Sequence, residues 1–462
     1  MSTATVAEVP NTLLLSTRET AEAAKLASRG LAALAEAARN AALEAMAQAL
    51  DAAQTELLAA NAEDMRAAAS RRGAEKLPPA TLARLELNPA KLAEMAAQVR
   101  SVAALPDPLG RTLDAIELDD KDGSESVSSE VRAGRGLSMQ KVSVPLGVLA
   151  VIFEARPDAV TQIAALALKS GNAVILKPGR EVEHTATALV RVLREALTKQ
   201  HVPPDAVSLV LGRERVQQLL AMHSLVDLVI PRGGKALVEH VQANTRIPVL
   251  GHAEGVCHIY VDREADAELA LRVIDDAKTD YPAACNAVET VLVHREVAAE
   301  FLPRLAERLL AQGVALHGDA AVRSLLRDVP VAEVDDWHTE YGELAISLGV
   351  VASLDAAIEH IHTHGSAHTE SILTEDPAAA ERFLHEVDAA SVLLNASPRF
   401  ADGFRYGFGA EVGISTSKFH ARGPVGLEGL TTYKYVVRGH GHIAGDYRGA
   451  DARSFTHKRE AR

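Results

Sequence analysis

From residue 142 onward, the chain alternates short apolar runs with stretches of helical pattern. The runs cover 142–153, 173–177, 207–211 and 225–230, and each is dominated by valine, isoleucine and leucine. Runs of this length are typical of strands covered on both faces, and their alternation with helices indicates βαβ units. The sequence therefore predicts an α/β fold with a parallel sheet and helices on both sides.

The same alternation returns in the second half of the chain. Strand patterns occupy 290–294, 346–352, 370–373 and 391–395, and helix patterns occupy 298–312 and 354–361. With 462 residues, the chain exceeds what a single core normally organises. We therefore expect two α/β domains.

Residues 16–72 have a helical pattern. Ser16, with Glu19 three positions later, has the form of a capping box, and alanine is abundant after it. Gly30 and Asn61 are the expected breaks within this helical region. A polar segment at 119–130 is expected to form a surface turn.

Composition limits the classes of function. The formal net charge of −14 argues against nucleic acid as a general partner. Two cysteines, Cys257 and Cys285, argue against a disulfide framework and fit a reducing cytoplasm. No apolar run is long enough to cross a bilayer, and the first residues lack the pattern of a secretion signal. We expect a cytoplasmic globular protein.

Cys285 stands in YPAACNAVETV, between small alanines and an asparagine. Small neighbours would let an electrophile reach a thiolate, which forms readily only beside a positive charge or a helix N-terminus. A small buried core residue is the alternative. Cys257 lies in the apolar stretch VCHIYV, which favours burial in the core.

Two segments are candidates for anion binding. A strand ends and a helix begins around IPRGGK, which contains Arg232, Gly233, Gly234 and Lys235. Such a corner presents backbone N–H groups and a helix dipole to an anion, although a tight turn without a ligand is the alternative. Lys177 ends a predicted strand, at the edge where open α/β sheets bind ligands, and a solvated lysine fits the pattern equally.

The glycine-rich run at 395–430 carries three arginines. Arg399, Arg405 and Arg422 would suit recognition of a carboxylate or a phosphate, and a solvated surface loop is the alternative. Long glycine-rich loops inside compact enzymes are often functional.

Four histidines cluster in the sequence at positions 360, 362, 364 and 368. Their spacing matches no zinc motif, and Gly365 would end a helix that carried His360 and His364 on one face. We expect no metal site.

Six segments follow one another in a specific order: PLGVLAVIFEARPD, LKSGNAVILK, IPRGGK, EGVCHIYVD, PAACNAVET and the run from 395 to 439. Together they resemble the glutamate-5-semialdehyde dehydrogenase (γ-glutamyl phosphate reductase) family of the aldehyde dehydrogenase superfamily. The resemblance implies a Rossmann-type cofactor domain, an α/β catalytic domain and a β-hairpin oligomerisation arm. The implied reaction is reduction of L-glutamyl 5-phosphate by NADPH to L-glutamate 5-semialdehyde and phosphate, the second step of proline biosynthesis from glutamate.

The resemblance also implies roles for single residues. Cys285 would be the nucleophile that forms a thioester, with its backbone N–H as an oxyanion donor, and Asn286 would help to orient the substrate. Arg156 stands where ordinary aldehyde dehydrogenases carry an asparagine oxyanion donor. The residues implied to bind NADP(H) are Lys177, Gly233, Gly234, Lys235 and Glu340, and Glu343 is the alternative to Glu340. The residues implied to bind the α-carboxylate of the glutamyl substrate are Arg399, Arg405 and Arg422.

Domain boundaries and partners follow from the same resemblance. The expected cofactor domain covers 1–126 and 145–262, the catalytic domain 263–432, and the arm with the C-terminal segment 127–144 and 433–462. The segment TTYKYVVRG is expected to pair with a partner subunit, so we expect a homo-oligomer. The resemblance also raises an association with glutamate 5-kinase without deciding it, while nucleic acid and membrane are not expected partners.

The main alternative is a hydrolytic aldehyde dehydrogenase. Such enzymes carry a general-base glutamate in Glu-Leu-Gly-Gly, where this chain has GHAEG at 251–255. A base that activated water would hydrolyse the thioester, so its displacement favours acyl-phosphate chemistry. A non-catalytic binding protein and a cysteine hydrolase without a nucleotide are the other classes considered.

Overall fold

The computed structural model describes residues 15–71, 77–119, 136–251, 254–450 and 452–459. These residues form two compact units. The first unit runs to Val229 and also contains 246–248 and the chain from Leu427 onward, while the second contains 230–245 and 249–426.

The first unit begins with five helices among its described residues, of which the sequence predicts the three that lie within 16–72. They are α1 (Thr17–Ala32), α2 (Glu36–Ala52), α3 (Gln54–Ser70), α4 (Pro79–Leu85) and α5 (Pro89–Ala104). The capping box is confirmed, because Ser16 Oγ accepts the Glu19 N–H while the Glu19 carboxylate accepts the Ser16 N–H at 2.8 Å. The expected breaks are wrong, since Gly30 lies inside α1 and Asn61 inside α3.

Asn61 stays helical because its side chain is bonded to a distant segment. Its amide N–H donates to the Leu85 carbonyl at 2.8 Å, and its oxygen accepts the Leu87 N–H at 2.8 Å. The local sequence cannot reveal these partners, which tie α3 to the chain after α4.

A four-stranded sheet follows, and all of it except the last three residues of its strand at Leu228–Arg232 belongs to the first unit. Its order is β5-β4-β3-β6, with β3 (Val148–Phe153), β4 (Ala173–Pro178), β5 (Val207–Leu209) and β6 (Leu228–Arg232), connected by α6 (Asp158–Lys169), α7 (Glu183–Lys199) and α8 (Glu214–Leu220). Every residue of β3 and β4 is buried, which explains their unbroken apolar sequence. The run predicted at 142–153 is two strands, interrupted at Gly147, whose φ of 129° few other residues adopt.

A separate antiparallel sheet contains the chain end. Its order is β16-β2-β1-β17, with β1 (Thr112–Asp119), β2 (Leu137–Pro145), β16 (Thr431–Arg438) and β17 (Lys458–Arg459). The strand β16 pairs along its whole length with β2 of the same chain and forms one edge of this sheet, so the pairing of TTYKYVVRG with a partner subunit stays a prediction. Of the expected arm at 127–144, residues 127–135 lie outside the described residues and 137–144 lie in β2. Most of the expected turn at 119–130 also lies outside the described residues.

The second unit contains a seven-stranded parallel sheet of order β10-β9-β11-β8-β7-β12-β13. Its strands are β7 (Cys257–Val261), β8 (Val288–His294), β9 (Ala315–Gly318), β10 (Val331–Glu333), β11 (Ala345–Val351), β12 (Thr369–Leu373) and β13 (Ser391–Leu394). The helices are α9 (Lys235–Ala243), α10 (Ala267–Thr279), α11 (Arg295–Ala311), α12 (Ala320–Leu325), α13 (Leu354–His364) and α14 (Pro377–Glu386). A short pair, β14 (Ile414–Ser415) and β15 (Gly423–Pro424), lies in the glycine-rich run.

The division between the units differs from the expected boundary near residue 262. The strand β7 takes its hydrogen bonds from β8 and β12, so residues 257–261 belong to the second sheet. The observed division falls after Val229, and the chain from Leu427 onward belongs to the first unit. Among the described residues, no helix has both the length and the apolar character needed to cross a membrane.

Candidate active site

The loop that carries Cys285 connects α10 to β8, the central strand of the second sheet. Lys278, in the last turn of α10, and Glu289, in β8, form an ion pair with Nζ 2.7 Å from Oε2. Both side chains are fully buried. The pair therefore joins the two ends of the loop and limits the positions that Cys285 can adopt.

Burial also sets the protonation of this pair. It raises the pKa of Glu289 to about 7, and the Lys278 ammonium opposes that rise. It lowers the pKa of Lys278, and the Glu289 carboxylate opposes that fall. The other oxygen of Glu289 accepts the Gly342 N–H at 3.3 Å, which ties the segment after Glu340 to the same pair.

The thiol of Cys285 is half-buried and protonated at neutral pH. Burial raises its pKa to about 12, the carboxylates of Glu340 and Glu411 add to the rise, and the Arg232 guanidinium opposes it. A thiol must lose its proton to act as a nucleophile, so this site requires a proton acceptor when substrate arrives.

Of the two acidic residues in HTEYGEL, Glu340 shares the electrostatic environment of Cys285. Its charge acts on the pKa of both Cys285 and Glu289. Glu343 is exposed on the turn before β11, and its carbonyl accepts the Ala345 N–H at 2.8 Å. Glu340 therefore lies close enough to Cys285 for its charge to raise the pKa of the thiol.

Asn286 fixes the loop to the segment at 399–401. Its side chain is buried, its N–H donates to the Ala401 carbonyl at 3.0 Å, and its oxygen accepts from the Arg399 guanidinium. Because both ends of the amide are engaged, any effect of Asn286 on a substrate would act through Arg399.

Arg399 and Arg405 converge on Asp280, the first residue of the loop. Each guanidinium has a nitrogen 3.2 Å from Asp280 Oδ2, and Arg405 also donates to the Arg399 carbonyl at 2.6 Å. Hydrogen bonding from Arg405, together with the charge of Arg399, lowers the pKa of Asp280. Arg422 is held apart from this group, since it pairs with Asp388 at 2.8 Å.

The expected strand–turn–helix corner is present between β6 and α9. Gly233 and Gly234 are exposed, and a side chain at Gly234 would meet open space among the described residues. The start of α9 is therefore accessible to an anion. Lys235 pairs with Glu254 at 2.6 Å, so the acidic residue of GHAEG is held by a cation at this corner.

Lys177 and Arg156 lie in the first unit. Lys177 is 7% exposed in β4, its Nζ donates to the Pro178 carbonyl at 2.8 Å, and burial lowers its pKa. Arg156 follows Ala155, which has a φ of 50° although it is not a glycine. The Ala155 N–H donates to the Glu181 carboxylate at 2.6 Å. An unusual backbone conformation held by a carboxylate therefore presents Arg156.

Histidine side chains pack together beside β7. The ring of His360 lies 5.5 Å from that of His258 and 4.6 Å from that of His364, and Trp337 packs edge-on at 4.7 Å. Burial lowers the pKa of His360 to about 3, and the neighbouring histidines add to the fall. In the part of the chain that the structure describes, no three His, Cys, Asp or Glu side chains are arranged to hold a metal.

Sequence reasoning missed Lys278, Glu289, Asp280 and Gly255. Glu289 had a signal, because a carboxylate in the apolar pattern VETVLVH requires a buried partner. Gly255 had no such signal in the sequence. A Cβ there would lie 2.0 Å from the carbonyl oxygen of Cys285, a residue thirty positions later in the chain, and no local sequence pattern connects the two.

Comparison with known proteins identifies the family of this chain. The model of the aldehyde dehydrogenase family matches residues 1–340. A gamma-glutamyl phosphate reductase of Cyanothece sp. is 52% identical over 440 residues, which cover 95% of this chain and 97% of that protein.

The chain belongs to the aldehyde dehydrogenase family, among its gamma-glutamyl phosphate reductases.

Solved structures agree with this membership of the aldehyde dehydrogenase family. The gamma-glutamyl phosphate reductase of Thermotoga maritima has a TM-score of 0.86 and 40% identity, covering 92% of this chain and 99% of that one. An engineered glycolyl-CoA reductase with bound NADP+ shares the fold, with a TM-score of 0.62 at 16% identity over 94% of this chain and 98% of that one.

Removing one partner of the buried pair should be costly. Lys278→Met leaves the Glu289 carboxylate buried without its cation, and we expect the free energy of unfolding in urea to fall by about 3–5 kcal/mol. Lys278→Met/Glu289→Leu should recover much of this loss, because an apolar pair has no charge to desolvate. The matched control is Arg18→Ala, which removes the exposed pair with Glu22 and should cost less than about 0.5 kcal/mol. A Lys278→Met loss no larger than the control would contradict the proposed role of the pair.

The histidine group should make stability depend on pH. His360 has its pKa lowered from 6.5 to about 3 in the folded chain, so below about pH 6.5 the unfolded chain binds more protons. The free energy of unfolding should therefore fall as the pH drops from about 6.5 toward 3. His360→Phe keeps an aromatic ring against Trp337 and should reduce this slope in urea titrations at several pH values. An unchanged slope would show that other groups are responsible.

Proposed function

We propose that this chain catalyses the NADPH-dependent reduction of L-glutamyl 5-phosphate to L-glutamate 5-semialdehyde and phosphate. The observation that carries the proposal is the placement of Cys285. Its thiol stands on a loop closed by a buried ion pair, and the first residue of that loop gathers two arginines. The family membership supplies the reaction class, and this geometry supplies a nucleophile with a site for an anionic substrate beside it.

In the first step, Cys285 attacks the acyl carbon of the substrate. A C–S bond forms, the C–O bond to phosphate breaks, and the thiol proton leaves with the phosphate. A resting pKa of about 12 is compatible with this step, because the proton acceptor arrives with the substrate. Covalent catalysis thereby divides one difficult reduction into two easier steps.

Negative charge on the acyl oxygen requires donors that are already in place. The proposed donor in the second unit is the Cys285 backbone N–H, while the role of Arg156 as a donor stays what the family resemblance implies. The conformation of Ala155, fixed by the Glu181 carboxylate, supports a specific direction for Arg156.

The second step needs a hydride at the thioester carbon, which NADPH would supply when bound. The C–S bond then breaks, Cys285 regains a proton, and the semialdehyde leaves. Water must be kept from the thioester, and the pairing of Glu254 with Lys235 supports this, because the carboxylate is engaged by a cation.

Residues in each unit suit the cofactor. In the second unit, the accessible start of α9 with Lys235 suits the dinucleotide phosphates, and Glu340 suits the nicotinamide ribose. In the first unit, Lys177 suits the adenosine ribose. The charges of Glu183, Glu181 and Glu154 raise the pKa of Lys177, and each acts more strongly than the exposed Arg180, which lowers it. The preference for NADP(H) over NAD(H) therefore stays a prediction from the family resemblance.

The substrate carboxylate is proposed to bind Arg405, with Arg399 as its support. Both arginines pair with Asp280, but the Arg405 side chain is 40% exposed, whereas that of Arg399 is 10% exposed and is also engaged by Asn286. Arg422 was a third candidate, and its pairing with Asp388 makes it the weakest of the three.

The chain is proposed to act as a cytoplasmic homo-oligomer. Two free thiols suit a reducing compartment. The edge strand β16 exposes Tyr433, Tyr435 and Val437 at alternate positions, and an apolar edge of this kind favours contact with another copy of the chain. An association with glutamate 5-kinase stays a prediction.

The reverse reaction provides the test of function. With L-glutamate 5-semialdehyde and NADP+, we expect NADPH formation only when phosphate is present. Cys285→Ser should reduce turnover by more than about 10³-fold while binding NADPH as the parent chain does. Acid formation without phosphate would favour a hydrolytic aldehyde dehydrogenase instead. Turnover of Cys285→Ser within about tenfold of the parent would contradict the nucleophile assignment.

A further inference from the structure

The peptide bond that follows Cys285 is held from one side by the segment 255–257. The Cys257 thiol donates to the Cys285 carbonyl oxygen at 3.3 Å. Gly255 packs so closely on the same group that a Cβ there would lie 2.0 Å from the oxygen and 2.8 Å from the Cys285 Cα. The segment is itself anchored, because the Val256 N–H donates to Ser366 Oγ at 2.9 Å.

Cys257 has a second neighbour that could accept its proton. Its sulfur lies 3.7 Å from Nδ1 of His368, but that nitrogen is 2.8 Å from the Thr369 hydroxyl. The Cys285 carbonyl is the closer acceptor for the sulfur, so the geometry favours it. Burial raises the pKa of Cys257 well above its usual range, and the thiol therefore stays a donor.

The hydrogen bond to the Cys285 carbonyl orients the whole peptide group that follows Cys285. Because a trans peptide is planar, the direction of the Cys285 carbonyl also sets the opposite direction of the Asn286 N–H. The Asn286 side chain is fixed in turn by Ala401 and Arg399. Because this peptide group is held at both ends, the Cα–Cβ bond of Cys285 has little freedom to change its direction.

We propose that Cys257 is a positioning residue for the reaction at Cys285. Its thiol orients the peptide bond that follows the nucleophile, and the missing side chain of Gly255 leaves room for this contact. The inference rests on the proposed function for the reaction that is affected, but the orientation itself concerns Cys285 alone. Since a neutral hydrogen bond contributes about 1 kcal/mol, the expected effect is about fivefold rather than complete loss.

Four variants test whether Cys257 orients Cys285 or only contributes to the packing of the fold. Cys257→Val removes the donor at similar volume, Cys257→Ser restores a hydroxyl donor, and Gly255→Ala forces the two backbones apart. Gly30→Ala is the matched control, because a Cβ on this exposed helical residue meets only Pro203, at an ordinary 3.5 Å. Each is measured for kcat, for KM of both substrates, for the rate and pH profile of Cys285 alkylation by iodoacetamide, and for Tm.

For Cys257→Val we expect kcat to fall about fivefold, with KM changed by less than about twofold. The alkylation rate or its pH profile should shift, and Tm should stay near that of the parent. Cys257→Ser should recover a large part of kcat, Gly255→Ala should lose more than Cys257→Val, and Gly30→Ala should behave as the parent.

The proposal is overturned if Cys257→Val keeps the parent kcat and alkylation profile. It is also overturned if Cys257→Ser is as impaired as Cys257→Val and Tm falls equally in both, because that pattern indicates packing alone. If the unaltered chain shows no phosphate-dependent turnover, the proposed function fails, and the alkylation comparison still decides whether Cys257 orients Cys285.

Discussion

The buried ion pair between Lys278 and Glu289 holds the site together. It spans the loop from the last turn of α10 to the central strand of the second sheet, with both charges removed from solvent. Such a pair is expensive to desolvate, and its value here is positional, because it leaves the loop few alternative conformations. Cys285, Asn286 and Asp280 lie on this loop, and the pair restricts the position of each.

Electrostatics at Cys285 favour a resting state with low reactivity. Burial and two carboxylates keep the proton on the thiol, against the opposing charge of Arg232. The thiolate is the form that oxidants and stray electrophiles attack, so a protonated resting thiol protects the nucleophile. An acyl phosphate brings its own proton acceptor as its leaving group, so the same environment does not prevent the intended reaction.

The sequence predicts most of the secondary structure because the central strands are buried on both faces. An unbroken apolar run is visible without any knowledge of its neighbours, as β3 and β4 illustrate. Predictions were wrong where a distant partner decides the outcome. Asn61 continues a helix because Leu85 and Leu87 use its amide. The strand β7 belongs to the second sheet because of its hydrogen bonds, which no local pattern records.

The sequence likewise reveals some residues of the candidate site and not others. Cys285 and the arginines stand out by residue type, and the family resemblance gives them roles. Gly255, Lys278 and Cys257 act through contacts with the loop, and their local sequence resembles that of ordinary core residues. A glycine needed for close backbone approach and a lysine needed by one buried carboxylate become visible only in three dimensions.

Formation of a thioester at Cys285 can be observed directly by mass spectrometry. The chain would be mixed with freshly generated L-glutamyl 5-phosphate in the absence of NADPH, quenched in acid and digested. A glutamyl adduct on the peptide that contains Cys285, removed by hydroxylamine and absent from Cys285→Ser, is the expected result. An adduct on another residue, or release of phosphate by this chain without any adduct, would contradict covalent catalysis at Cys285.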